Sequence, residues 1–270
     1  MGDLRAFKDA KAKEIGALKA KGEARLRKEI GDFAGTNGKR PDFAEALRRG
    51  REKRGIALVA EYKRASPSRG EIRSDLSPED AAAAYREADA VSVLTEESRF
   101  GGSPDHLRAM AASSGLPVLR KDFVFHPLQV LETALTPASA VLLVVRAISS
   151  EKELASLVAL AESLDLTPVV EVFGADELTA ARSVGARVIQ INARDLETFK
   201  VDFPASLKLI VSRPPRGNEI FVAASGISDA ADMALARKAG FSAALVGTAI
   251  MESDDPGKKI RELLAPGNFL

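Results

Sequence analysis

Cysteine is absent from this 270-residue chain. Its absence excludes disulfide bridges, thiolate zinc sites and thiol nucleophiles. There are two histidines, His106 after Pro104-Asp105 and His126 before Pro127, and neither sits in a run of carboxylates with metal-ligand spacing. No apolar run approaches the ~18 residues of a membrane span, and the N-terminus lacks the apolar core of a signal peptide. The opening Met-Gly-Asp-Leu-Arg-Ala puts Ala6 where a myristoylation motif needs Ser or Thr. An excess of one charge is missing too: the net charge is +1, which gives no global attraction to nucleic acid. These absences predict a cytoplasmic chain that uses neither membrane nor nucleic acid.

Hydrophobic residues make up 46% of the chain and charged residues 29%, a globular composition that rules out disordered and collagen-like classes. The length fits one α/β barrel, a fold of about 250 residues. Charge is uneven along the chain: residues 1–56 hold 16 Lys/Arg against nine Asp/Glu, and the remainder 23 against 29. The basic excess reads as the solvated face of N-terminal helices.

From Ala57 onward, short β-type runs alternate with alanine-rich helical stretches. Eight runs are identified: Ala57 to Tyr62, Ala90 to Thr95, Pro117 to Lys121, Ala140 to Val145, Thr167 to Val172, Val188 to Asn192, Ile220 to Ala224 and Ala243 to Val246. Pro78 to Glu87, Glu151 to Ser163 and Ala175 to Val184 are among the helical stretches between them, several opened by Ser, Asp or Pro. Such alternation implies parallel pairing, and eight units predict a closed (β/α)₈ TIM barrel. Ahead of the first run, Leu4, Phe7, Ile15, Leu18, Leu26, Ile30 and Phe33 recur at mostly helical spacing. Gly35 to Arg40 then reads as a loop and Asp42 to Arg49 as a short helix. Residues 1–50 are therefore expected to be a helical extension packed on a barrel of residues 51–270, together one structural domain.

The first run ends in Glu61-Tyr62-Lys63. Side chains two apart on a strand share a face, so Glu61 and Lys63 point the same way. This pair alone reads equally as a structural ion pair and as part of a site. Barrel active sites lie at the C-terminal strand ends. There the third run offers Lys121, the fifth Glu171, and the sixth Asn192 and Arg194, so polar groups converge on one rim. Ala224-Ser225-Gly226-Ile227 and Val246-Gly247-Thr248-Ala249 end the last two runs with small residues before helix starts. That pattern favours an anion such as phosphate over a plain glycine turn. Arg213-Pro214-Pro215-Arg216-Gly217 is basic, but without aromatic neighbours it reads as an exposed loop.

The segments Ala60-Glu61-Tyr62-Lys63-Arg64-Ala65-Ser66-Pro67-Ser68, Ser92-Val93-Leu94-Thr95-Glu96, Leu119-Arg120-Lys121-Asp122-Phe123, Val170-Glu171-Val172, Ile191-Asn192-Ala193-Arg194-Asp195-Leu196 and Ser225-Gly226-Ile227 closely resemble indole-3-glycerol phosphate synthases, in order, from about Phe43 to Leu264. The resemblance implies a lyase of tryptophan biosynthesis that acts on 1-(2-carboxyphenylamino)-1-deoxyribulose 5-phosphate. Its products would be indole-3-glycerol phosphate, carbon dioxide and water, formed without metal or organic cofactor. It further implies Lys121 as general acid and Glu171 as base, with Lys63, held by Glu61, orienting the substrate carboxylate and sharing in proton delivery. Asn192, Arg194 and Ser225 would bind substrate, and Phe100 and Phe123 would wall the anthranilate ring. The phosphate would sit on Ser66 and on the backbone of Gly226, Gly247 and Thr248. A monomer is expected, with a dimer as the alternative.

Two positions depart from the family's usual pattern. Ala224 stands where a glutamate is usual, and Gln190 stands where glycine is usual. By alternation Gln190 shares a face with Asn192, so its amide must find partners inside the barrel. The loss of the carboxylate at 224 predicts weakened but present turnover. It leaves room for two rival readings: a catalytically weakened or engineered variant that binds the ligand without efficient turnover, and another phosphate-binding barrel enzyme.

Overall fold

The structure, a computed structural model, describes residues 2–265. Met1, the Leu4 side chain and the 266–270 end of the expected barrel span lie outside the described residues. Ten strands are present among them: β1 (Ala57–Tyr62), β2 (Ala65–Ser66), β3 (Gly70–Glu71), β4 (Ala90–Leu94), β5 (Val118–Lys121), β6 (Ala140–Val144), β7 (Thr167–Val172), β8 (Val188–Asn192), β9 (Ile220–Ala224) and β10 (Ala243–Val246). Eight close into an all-parallel barrel in the order β1-β10-β9-β8-β7-β6-β5-β4. The remaining two, β2 and β3, pair antiparallel directly after β1, a small hairpin that the sequence pattern did not predict.

Helices α1 (Gly2–Lys21), α2 (Glu23–Asn37) and α3 (Phe43–Arg54) precede the barrel. Between and after the strands come α4 (Pro78–Ala84), α5 (Glu97–Phe100), α6 (Pro104–Ser114), α7 (Pro127–Ala134), α8 (Glu151–Ser163), α9 (Ala175–Ser183), α10 (Phe203–Ser212), α11 (Ala230–Ala239), α12 (Thr248–Met251) and α13 (Pro256–Leu264). Many start where a side chain takes up an orphan backbone donor. Asp42, Ser77, Ser150 and Asp229 each accept from the backbone N–H three residues on, and His126 Nδ1 accepts from Leu128 N at 3.1 Å. The expected loop at Gly35 is corrected. An interior glycine costs a helix only about 1 kcal/mol, and α2 runs on to Asn37, stopping at Gly38 with its positive φ of 69°. Likewise α3 extends to Arg54 because its stop is Gly55, in the left-handed region, whose N–H bonds the Arg51 carbonyl.

Strand alternation divides the core in two. Leu58, Ala60 and Tyr62 point outward into the layer between barrel and helices, together with Val91, Leu143, Val170 and Ile189. Ala57, Val59, Leu142, Val169, Val188, Val222 and Leu245 fill the barrel interior. Phe43 and Leu47 of α3 join that inner cluster, so α3 plugs the N-terminal end, while Phe7 of α1 joins it from the opposite rim.

The rim contact of α1 is polar as well as aromatic. Lys11 Nζ lies 2.8 Å from the Asp122 carboxylate just after β5. Arg120, fully buried on the outer face of β5, pairs with Asp122 at 3.2 Å and with Glu132 of α7 at 2.8 Å. Burial opposes ionisation of Asp122, but Arg120, Lys11 and a hydrogen bond from Thr95 outweigh it and hold the carboxyl below its ordinary value. A group with a depressed folded value contributes stability above its unfolded value, near 4, and loses it as pH falls through the lower folded value. Thermal melts should therefore fall more steeply below pH 4 in the parent than in Asp122→Asn. At pH 7 that variant should be less stable by about 3 kcal/mol, because it leaves buried cations unpaired.

Candidate active site

The C-terminal strand ends surround a cavity of about 380 Å³. Glu61, Lys63, Lys121, Glu171, Asn192, Arg194, Ala224 and Ser225 all line it, as do Ser66, Gly226, Gly247 and Thr248. The sequence-predicted site residues are thus brought together without exception.

Two charged pairs occupy the rim. Lys63 Nζ donates to Glu61 Oε1 at 2.9 Å. Burial pushes the Glu61 carboxyl up, but Lys63, Lys121 and Arg194 outweigh it and hold the group below the usual carboxylate range. Glu61 is therefore an anion whose work is to fix Lys63. Gly247 is what lets the two come so close to β10: a Cβ there would lie 3.0 Å from Lys63 Nζ and collide with the Glu61 carboxylate. In the second pair, Lys121 Nζ stands 3.8 Å from Glu171 Oε2. Asn192 Nδ2 donates to that same oxygen at 3.2 Å, and Gln190 Nε2 donates to it as well. The amide of Gln190 thus finds its partner in Glu171.

Asn192 is fixed in turn. Its Oδ1 accepts from Ser225 Oγ at 2.9 Å and from the Arg194 backbone N–H at 3.0 Å. Ser225 holds a positive φ of 67°, rare for a residue with a Cβ and a mark of functional sites. Gly226 follows at φ 83°, where a Cβ would lie 2.8 Å from Phe203 Cβ. Arg194 extends its guanidinium to Ser68 Oγ and the Phe199 carbonyl, both at 3.2 Å. Ser66 Oγ is buried on the cavity wall with no hydrogen-bond partner among the described residues, a donor available to a ligand oxygen.

The apolar wall has a member the sequence pattern did not single out. Phe7 of α1 stacks on Phe123 with ring centroids 4.1 Å apart, and on Phe100 at 6.2 Å. Glu96 positions Phe100 by accepting from the backbone N–H groups of Ser98, Arg99 and Phe100 at the start of α5. In sequence Phe7 is one apolar position of an amphipathic helix. Its placement depends on where α1 docks, which the buried pairing of Lys11 with Asp122 fixes and no local pattern in the sequence marks. A stacked aromatic pair is worth about 0.5–1.5 kcal/mol beyond its buried area. Phe7→Ala should accordingly raise KM about tenfold with a smaller effect on kcat, checked by steady-state kinetics.

The model of the indole-3-glycerol phosphate synthase family matches residues 4–263. The chain belongs to the indole-3-glycerol phosphate synthase family. It is 42% identical over 225 residues to the indole-3-glycerol phosphate synthase of Aquifex aeolicus, covering 83% of this chain and 85% of that one. The synthase of Desulfosudis oleivorans is 40% identical over 244 residues, 90% of either chain. Among solved structures, 3-hexulose-6-phosphate synthase from Salmonella typhimurium superposes with a TM-score of 0.61 at 15% identity, over 77% of this chain and 97% of that one, a likeness of fold alone. Within the synthase family's barrel, Ala224 is 3% exposed, lines the cavity and lies opposite Asn192 on β8 and Leu245 on β10. Gln190 and Ala224 therefore stand on the inner faces of adjacent strands, two register positions apart.

Proposed function

We propose that the chain converts 1-(2-carboxyphenylamino)-1-deoxyribulose 5-phosphate to indole-3-glycerol phosphate, carbon dioxide and water, as a carboxy-lyase of tryptophan biosynthesis. The observation that carries this reading is the Lys121–Glu171 pair, 3.8 Å apart at the base of a cavity walled by Phe7, Phe100 and Phe123. An acid and a base side by side, next to an aromatic slot, suit a ring closure that needs both proton delivery and proton removal.

Lys121 gives a proton to the ketone oxygen as the ring carbon bearing the carboxylate attacks the carbonyl carbon. One carbon–carbon bond forms and the carbonyl π-bond becomes a hydroxyl. The carbon–carboxylate bond then breaks, carbon dioxide leaves, and its electron pair returns to the ring system. Protonation of the new hydroxyl expels it as water, and Glu171 takes the last proton as the indole becomes aromatic. Lys63, fixed by Glu61, sets its charge beside the substrate carboxylate until decarboxylation and shares in protonating the leaving hydroxyl. Ser66 Oγ and the backbone around Gly226, Gly247 and Thr248 anchor the phosphate, with Asn192, Arg194 and Ser225 around the rest of the substrate. Residues 1–50 act as part of the same unit as the barrel, supported by the insertion of Phe7 and Lys11 at the rim.

No helix among the described residues is long and apolar enough to cross a membrane. The reading adopted is a cytoplasmic monomer, with a dimer as the alternative that sedimentation would reveal. The function is tested by following indole fluorescence from the substrate and by calorimetry with the product. Turnover together with binding is expected; binding without turnover at any pH would overturn it. Ala224→Glu should raise kcat a few-fold, about 1 kcal/mol of transition-state stabilisation, with little change in KM. No gain in steady-state assays would mean that the site works around the alanine.

A further inference from the structure

Gln190 is wholly buried at the middle of β8, on the inner face of the barrel, one position below Asn192 on that face. Its register neighbours are Glu171 on β7 and Val222 on β9. The two ends of its amide are treated differently. Nε2 donates to Glu171 Oε2, whereas Oε1 is buried with no partner among the described residues. An amide present for stability would have both ends satisfied, because a buried, half-satisfied polar group is inferior to an apolar side chain of the same shape. What the amide does for Glu171 is therefore the explanation for its presence.

The donors to Glu171 are gathered on one oxygen. Gln190 Nε2, Asn192 Nδ2 at 3.2 Å and Lys121 Nζ at 3.8 Å all approach Oε2. Oε1 is left for the substrate. The amide's direction follows from the same chemistry: reversed, its carbonyl would face the carboxylate, lone pair against lone pair. Ala224, on the neighbouring strand, adds no second carboxylate to compete for these donors.

We propose that Gln190 is a positioning residue for Glu171, aiming the carboxylate so that its free oxygen accepts the substrate proton. The proposal rests on the role of Glu171 as base given above. Two variants test it. Gln190→Met keeps length and bulk but removes the donor, and Gln190→Glu keeps shape but sets a second carboxylate against the first.

Loss of a donor to a carboxylate raises its pKa, and a like charge raises it further. In Gln190→Met kcat should fall about tenfold, KM should stay within about twofold and the acid limb of the kcat/KM profile should move up. In Gln190→Glu the limb should move further. Without substrate, NMR titration of ¹³C-glutamate-labelled protein reads the Glu171 carboxyl directly, its signal assigned by its loss in Glu171→Gln. That titration should shift in the same direction. A purely packing role would leave both the limb and the titration where the parent has them, and that result in either folded variant overturns the proposal. Should the parent show no turnover, the functional reading fails, while the titration still decides the role of Gln190.

Discussion

Replacing Lys121 with methionine should lower kcat by about three orders of magnitude while leaving the affinity for product within a few-fold of the parent's. Methionine preserves most of the side-chain length and volume, so the cavity keeps its shape and the loss isolates the ammonium. Positioned general acids contribute about 10²–10⁴-fold, and Lys121 is asked to do more than donate a proton. Its charge also stabilises the oxygen on which negative charge develops as the ring carbon attacks. It stands 3.8 Å from Glu171 Oε2, which keeps it within the polar end of the cavity rather than at the aromatic wall. Lys63 is already committed to Glu61 at 2.9 Å and cannot take over without releasing that contact. Single-turnover kinetics with saturating enzyme would separate this effect from binding. A variant that loses affinity but keeps its rate constant for ring closure would assign Lys121 to binding instead.

Glu171→Gln should cost about 10²–10⁴-fold in kcat and should also remove the acid limb from the pH–rate profile. The second effect is the more diagnostic. In the parent, kcat/KM should rise with pH as Glu171 ionises, since only the carboxylate can accept the substrate proton. A glutamine there has no ionisation in this range, so the residual rate should be flat across the same interval. The carboxylate is only 2% exposed, and Asn192 and Gln190 both donate to it. A glutamine amide would turn an N–H group toward one of those donors or sacrifice the contact, and product binding should weaken modestly as well. An unchanged acid limb in Glu171→Gln would place the titrating base elsewhere.

Much of this arrangement can be read in the chain itself. The eight barrel strands are short apolar runs bounded by turn residues, and their C-terminal ends carry the polar groups, so the rim from Glu61 to Asn192 follows from strand alternation alone. Strand ends are local features, which is why Lys121 and Glu171 could be placed without knowing the tertiary structure. Phe7 is different. It lies more than 90 positions before Phe100 in the sequence, and only the docking of α1, through Lys11 on Asp122, brings the rings together. The Arg120 network was hidden for the same reason: alternation with Lys121 turns the residue outward, but its partner Glu132 comes from α7, which only the docked helix supplies. The β2–β3 hairpin is two residues per strand, too short to leave a periodic pattern. The partner of Gln190 could be anticipated as a need but not as a residue, since strand register is not written locally.

Ring closure and decarboxylation are expected to be coupled in one active site. Substrate labelled with ¹⁴C in the carboxyl group measures this directly, with released carbon dioxide and indole-3-glycerol phosphate counted in the same reaction. One carbon dioxide is expected for each indole-3-glycerol phosphate at every time point, with both slowed by the same factor in Lys121→Met. Carbon dioxide released without indole, or substrate recovered intact from the parent protein, would contradict it.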